Sequence, residues 1–184
     1  MAVWNVIDHT ELSSGANSYT KSSIPSSYDH LCFIASARTD ASVHTDYCEF
    51  YLNSDSSHPS GTSKYSQLYI SSGSSSVGSS KALSSSATLG FGGEVCGASA
   101  LADTFSTVKL WIPSYANSTN YKQIVGEICT PNSDTTNYRW NTYVTNTLFL
   151  DTSAVDQFTY MVYGGSDDMV QYSTFTLYGI NGAG

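Results

Sequence analysis

The side chains with most chemistry to offer are four histidines, His9, His30, His44 and His58. They stand in separate segments, without the H-x-x-H, H-x-x-x-H or H-E-x-x-H spacing that brings two imidazoles onto one metal. That pattern reads as surface or edge-strand histidines. Serines are abundant, but they fall in low-complexity stretches with no G-x-S-x-G turn, so no poised nucleophile is indicated. Glu11, Glu49, Glu94 and Glu127 each lie in strand-like runs. Two carboxylates facing across a groove of roughly 5–10 Å would suit glycoside hydrolysis, whereas single outward glutamates keep a sheet soluble and its edges unsticky. Gly90-Phe91-Gly92-Gly93 resembles a phosphate cradle only in its glycines, since no Lys-Ser/Thr and no helical pattern follow. Asp167-Asp168 after Gly164-Gly165, and Asn53-Ser54-Asp55, carry oxygens that suit calcium, but without the full EF-hand spacing they read as solvated turns. No catalytic, metal-binding or cofactor-binding residue is assigned from these patterns, no cofactor is expected, and the identity of any binding residues stays open.

Aromatics offer binding rather than catalysis. Tyr138, Trp140 and Tyr143 surround a short polar strand, where flat rings flanked by Asn and Thr suit either a sugar face or a protein interface, or else a core. Asn117-Ser118-Thr119 matches a glycosylation acceptor and reads as a loop. Cys32, Cys48, Cys96 and Cys129 include no C-x-x-C pair, and three lie within apolar strand runs, which points to buried free thiols and a reducing environment.

Composition narrows the partners. Charged residues make up 12% of the chain, against roughly 25% in typical domains. The net charge of −8 with only 7 scattered Lys and Arg argues against nucleic acid, because phosphate binding needs clustered cations. No apolar run approaches the roughly 18 residues of a membrane span, and Met1-Ala2-Val3-Trp4-Asn5 lacks the basic region and apolar core of a secretion signal. A soluble chain with no membrane partner is expected.

These residues must be carried by strands. Short apolar or alternating segments are separated by Ser, Gly, Asn, Asp and Pro clusters, the pattern of an antiparallel sandwich. Trp4–Glu11 opens the series, with Trp4 and Val6 on one side and Ile7 on the other, ending at Ser13-Ser14-Gly15. Ser18–Ser23 suits an edge strand, and Ile24-Pro25-Ser26-Ser27 forces a corner because Pro cannot donate to a central ladder. Leu31, Cys32, Phe33 and Ile34 within Tyr28–Ala37 mark a central strand covered on both faces. In Tyr47–Asn53, Cys48, Phe50 and Leu52 share one face and Tyr47, Glu49 and Tyr51 the other, so a one-residue slip would bury Glu49. Further strands are expected at Lys64–Ile70, Thr104–Ile112, Lys122–Cys129, Tyr138–Val144, Thr147–Leu150, Gln157–Tyr163 and Thr174–Ile180, with turns at Pro113-Ser114 and Pro131-Asn132-Ser133-Asp134. No segment holds a period near 3.6. The expected fold is all-β: residues 1–184 form a single antiparallel β-sandwich, jelly-roll-like, of about eight to ten strands, with a flexible Ser/Gly-rich loop at about 71–86.

Five segments carry a resemblance. Ser23-Ile24-Pro25-Ser26-Ser27-Tyr28-Asp29-His30-Leu31, Ala35-Ser36-Ala37-Arg38-Thr39, Tyr51-Leu52-Asn53-Ser54-Asp55, Ile112-Pro113-Ser114-Tyr115-Ala116 and Leu177-Tyr178-Gly179-Ile180 resemble, in that order, the markers of a family of small stand-alone virion proteins of tailed bacteriophages of the aquatic and cyanobacterial type. The chain departs from the family at Ser54, where Gly is usual, and in a longer loop over His58–Ser63. The resemblance implies a β-sandwich component of the virion and no catalytic residues. The leading expectation is a capsid decoration or cement protein, a homo-oligomer with a trimer favoured by family analogy, that clamps major capsid protein subunits. The alternative is a tail-fibre or receptor-binding head that recognises carbohydrate. A polysaccharide-degrading enzyme comes third, because no ordered triad, metal motif or acid pair supports it.

Overall fold

The computed structural model of the chain describes residues 3–53, 63–71, 76–82, 90–131 and 140–182. Among them are twelve strands, β1 (Val3–Glu11), β2 (Ser18–Lys21), β3 (His30–Ala37), β4 (Thr45–Leu52), β5 (Ser63–Ser71), β6 (Ser76–Ala82), β7 (Gly90–Cys96), β8 (Ser106–Pro113), β9 (Lys122–Pro131), β10 (Trp140–Phe149), β11 (Phe158–Val162) and β12 (Thr174–Asn181), and no α-helix. All twelve fall in two antiparallel sheets, ordered β1-β12-β3-β8-β9-β10-β5-β6 and β2-β11-β4-β7.

Set aside the hairpins β5–β6 and β9–β10, and the remaining eight strands pair in a nested series: β1 with β12, β2 with β11, β3 with β8, β4 with β7. This is one long antiparallel ribbon turned back at β4 and β7. It is rolled so that β12 also meets β3 and β11 meets β4. The result is a jelly roll. The two extra hairpins both add to the same sheet and widen it to eight strands, whereas the other keeps four.

Strand alternation then fills the space between the sheets. Phe33 on β3 lies 4.7 Å from Phe158, 5.1 Å from Tyr160, 5.8 Å from Tyr19 and 6.3 Å from Phe175, ring centroid to ring centroid. Leu31, Val108, Leu110, Ile112, Phe50 and Leu52 pack around these rings. A β-bulge between Val6 and Asp8 breaks the alternation of β1 and turns Asp8 toward the smaller sheet. There its carboxylate accepts from the Tyr19 hydroxyl at 3.0 Å and meets the Lys21 ammonium at 3.5 Å, tying the two sheet edges together. Arg38 fixes the loop between β7 and β8, donating to the carbonyls of Leu101 (2.7 Å), Thr104 (3.1 Å), Ala98 (3.2 Å) and Ala100 (3.1 Å).

The strand pattern read from the sequence holds with four corrections. Of the Ser/Gly-rich stretch expected as a flexible loop over 71–86, residues 72–75 and 83–86 lie outside the described residues, while Ser76–Ala82 forms β6 and pairs with Tyr65–Ser71 of β5; serine and glycine still form ladder bonds where a neighbouring strand supplies the register. Gly90–Cys96, weighed for its glycines as a phosphate cradle and given only a strand-like setting at Glu94, is the whole edge strand β7, and its buried Gly90 and Gly92 admit the Phe50 and Tyr160 rings where a Cβ would stand. The two short runs at Tyr138–Val144 and Thr147–Leu150 join as the single strand β10, because Thr145 and Asn146 pair with both β9 and β5. The count rises from eight to ten to twelve. Residues 132–134, within the expected turn after Pro131, lie outside the described residues.

Phe33→Ala should remove the ring shared by both sheets and lower unfolding stability by about 3–5 kcal/mol in urea melts; a loss below about 1 kcal/mol would show that the aromatic cluster does not hold the sandwich together.

Candidate functional site

Alternation that sends Leu31, Phe33 and Ala35 inward sends His30, Cys32, Ile34 and Ser36 out of the other face of the large sheet. Along one row of that face the register places Val6, Tyr178, Cys32, Trp111, Val125 and Asn146 on six successive strands. At about 4.8 Å per strand the row spans roughly 24 Å. The next row adds Trp4 and Ile180. Trp4 packs 5.5 Å from Tyr178 and 6.1 Å from Trp111, and Trp111 lies 5.5 Å from His30. These rings roof Cys32 and Ile180, which are buried although they point away from the core cluster.

Much apolar surface stays open beyond that roof. Trp4 is 48% exposed, Val6 59%, Val144 50% and Trp140 50%. The charged side chains interrupting the band at its centre are Lys109 and Glu127, and they pair with each other at 3.2 Å. Exposed apolar side chains gathered on one face in this way are the kind of surface that interaction faces carry. The Cys32 thiol, pushed up to about 11 by burial, stays protonated beneath it.

The opposite outer face, on the four-stranded sheet, has a different character. Glu49 lies between Tyr47 and Tyr51 on β4 and opposite Met161 of β11. Burial pushes its carboxyl up to about 7. Beside it, the hydroxyls of Thr20 and Thr159 share a hydrogen bond of 3.0 Å.

The residues with candidate chemistry are dispersed. His9 sits on β1 with Nδ1 2.8 Å from the Thr176 hydroxyl, His30 opens β3, His44 lies in the turn before β4, and His58 is outside the described residues. Glu11 and Glu127 belong to the same sheet but are four strands apart, roughly 19 Å. Glu49 is on the other sheet, and Glu94 turns to the Asn141 amide at 3.3 Å. No two of these glutamates face across a groove as glycoside hydrolysis requires. Asn53 takes a positive φ of 63° and is occupied in fastening the loop before β11, accepting from Asp156 N–H at 3.0 Å and donating to Ala154 O at 3.3 Å; Ser54 and Asp55 lie outside the described residues. Asp168 N–H donates to Asp40 Oδ1 at 2.8 Å, and among the described residues no three His, Cys, Asp or Glu side chains converge to hold a metal ion.

The aromatic set around β10 divides. Trp140 points outward, Tyr143 is buried 5.7 Å from Phe91, and Tyr138 lies outside the described residues, so they do not form one platform. Sequence reading missed the Trp4, Trp111 and Tyr178 cluster. These three are far apart in the chain and meet only because β1, β12, β3 and β8 are neighbours. All four cysteines are free; Cys32, Cys48 and Cys96 are buried, and Cys129 is exposed.

No family model matches the chain, and no curated protein matches it.

Two measurements test this description. Glu49 has a folded pKa above its unfolded value, so the stability it contributes is complete below about pH 4 and is lost as pH rises through about 7. Glu49→Gln should therefore match the parent near pH 4 and exceed it by about 1–3 kcal/mol above about pH 8; equal stability across that range would contradict the burial of the carboxyl. Separately, a maleimide should label Cys129 quickly in the native protein, with Cys32, Cys48 and Cys96 modified only on unfolding, as peptide mass spectrometry would show.

Proposed function

We propose that this chain is a structural protein of a bacteriophage virion, a capsid decoration or cement protein that seats the outer face of its large sheet on major capsid protein subunits. The observation that carries the reading is the apolar band from Trp4 and Val6 to Val125 and Val144, open to solvent and nearly free of charge. A face built this way gains from burial against a partner and pays little to desolvate charges. Jelly rolls serve as viral capsid and lectin domains, which makes the reading compatible with the fold, although fold alone does not choose a function.

Copies arrayed on a symmetric shell gain avidity from many modest contacts, so no single deep site is required. Association of the chain with itself, as a trimer, would present several such faces together. Its place of action is the virion, after assembly in the host cytoplasm.

Quantitative mass spectrometry of purified particles should find the chain at a copy number within a few-fold of the major capsid protein. Replacing Trp4 and Val6 by serine should cost about 2 kcal/mol or more of attachment and strip the chain from heads while leaving its isolated fold intact. Recovery of only a handful of copies per particle, or density at the tail alone, would overturn the proposal.

A further inference from the structure

Where β3 begins and β8 and β12 end, the sandwich leaves a concavity of about 340 Å³ lined by Tyr28, Asp29, His30, Ser114, Ala116 and Asn117. Small-molecule sites run from about 300 to 1,000 Å³, so the space admits a compact ligand. Its walls are held firmly. The Tyr28 ring lies against Gly179, where a Cβ would come within 2.3 Å of it. The buried Tyr115 donates its hydroxyl to Pro25 O, and Asp29 N–H donates to Ile180 O at 3.0 Å. Three chain segments far apart in sequence thus meet at this one end of the sandwich.

The polar groups are also pre-set. Ser114 holds a positive φ of 49°, unusual for a residue other than glycine. Its N–H donates to His30 Nδ1 at 3.1 Å, and its carbonyl accepts from Asn117 N–H at 3.1 Å. An imidazole that accepts at Nδ1 carries its proton on Nε2 when neutral, which leaves that N–H as a donor. Asn117, which lines the concavity, accepts at its side-chain oxygen from three donors, Thr119 N–H (2.7 Å), the Thr119 hydroxyl (2.9 Å) and Asn120 N–H (2.9 Å), so the turn is closed through that oxygen and the amide nitrogen is the group with donors to offer. Asp29 accepts from Gly182 N–H through Oδ2, and Oδ1 retains its capacity.

One carboxylate acceptor, amide and imidazole donors, and an aromatic ring match the vicinal hydroxyls and C–H face of a sugar ring. An anionic ligand would meet Asp29 and a protein of net charge −8, which disfavours phosphate, sulfate or sialic acid. We propose that this pocket binds a single ring of a neutral saccharide. The site goes beyond the virion reading and does not depend on it, because it lies at the sheet's end and particle attachment is measured separately.

Saturation-transfer NMR on the full chain with methyl glycosides of glucose, galactose and mannose at millimolar concentration is the direct test, with methyl sialoside as the anionic comparison. At least one neutral glycoside should receive saturation, and the sialoside should not. Asp29→Asn keeps an oxygen for Gly182 N–H but turns an acceptor into a donor. Asn117→Asp keeps the capping oxygen and removes the donor. Each should weaken binding at least tenfold in amide-shift titrations, while Val43→Thr, in the exposed turn before β4 at the other end of the sandwich, leaves it unchanged. No transfer from any neutral glycoside, or binding that survives both pocket substitutions in proteins whose amide spectra show the native fold, would overturn the proposal.

Discussion

Contact between the aromatic residues of the two sheets is the constraint from which the rest follows. Phe33 belongs to the large sheet, Phe158, Tyr160 and Tyr19 to the small one, and their rings interleave at 4.7 to 5.8 Å. Once Phe33 points inward, the two-residue period of β3 leaves Cys32 no choice but the outer face. The same parity, transmitted through the ladders to β8 and β12, aligns Trp111 and Tyr178 with Cys32. The core thus decides the composition of a surface it does not touch.

Rolling a ribbon into a sandwich leaves the two sheets equal in width, and the β5–β6 and β9–β10 hairpins break that balance. Both hairpins extend the sheet that already carries Trp4, Trp111 and Tyr178, so its outer face broadens into a platform. The other sheet remains narrow and carries on its outside a half-buried carboxyl, Glu49, poised near neutrality. One molecule therefore shows an apolar face and an ionisable one on opposite sides.

The residues explain what was legible beforehand. Cys48, Phe50 and Leu52 alternate with Tyr47, Glu49 and Tyr51, and Val108, Leu110 and Ile112 with Thr107, Lys109 and Trp111, because a strand with one buried face must repeat every second residue. Ser76–Ala82 offered no such signal: it pairs with β5, and backbone ladder bonds need no apolar side chains. Gly90–Cys96 was legible only around Glu94, since its glycines make room for Phe50 and Tyr160 rather than contribute hydrophobic side chains of their own. Pairing in space also made one strand of two expected ones in β10.

The sequence by itself determined the all-β class, the position of most strands, which side of each would be buried, and the low density of charge, because these depend on neighbours a few residues away. Tertiary structure alone decided that Trp4 would stand beside Trp111 and Tyr178, that the chain's glutamates would be parted, and that Tyr28, His30, Ser114 and Asn117 would line one open concavity. Those outcomes rest on which strand lies beside which, and strand order is set by how the rolled ribbon closes over its core, not by any local run of residues.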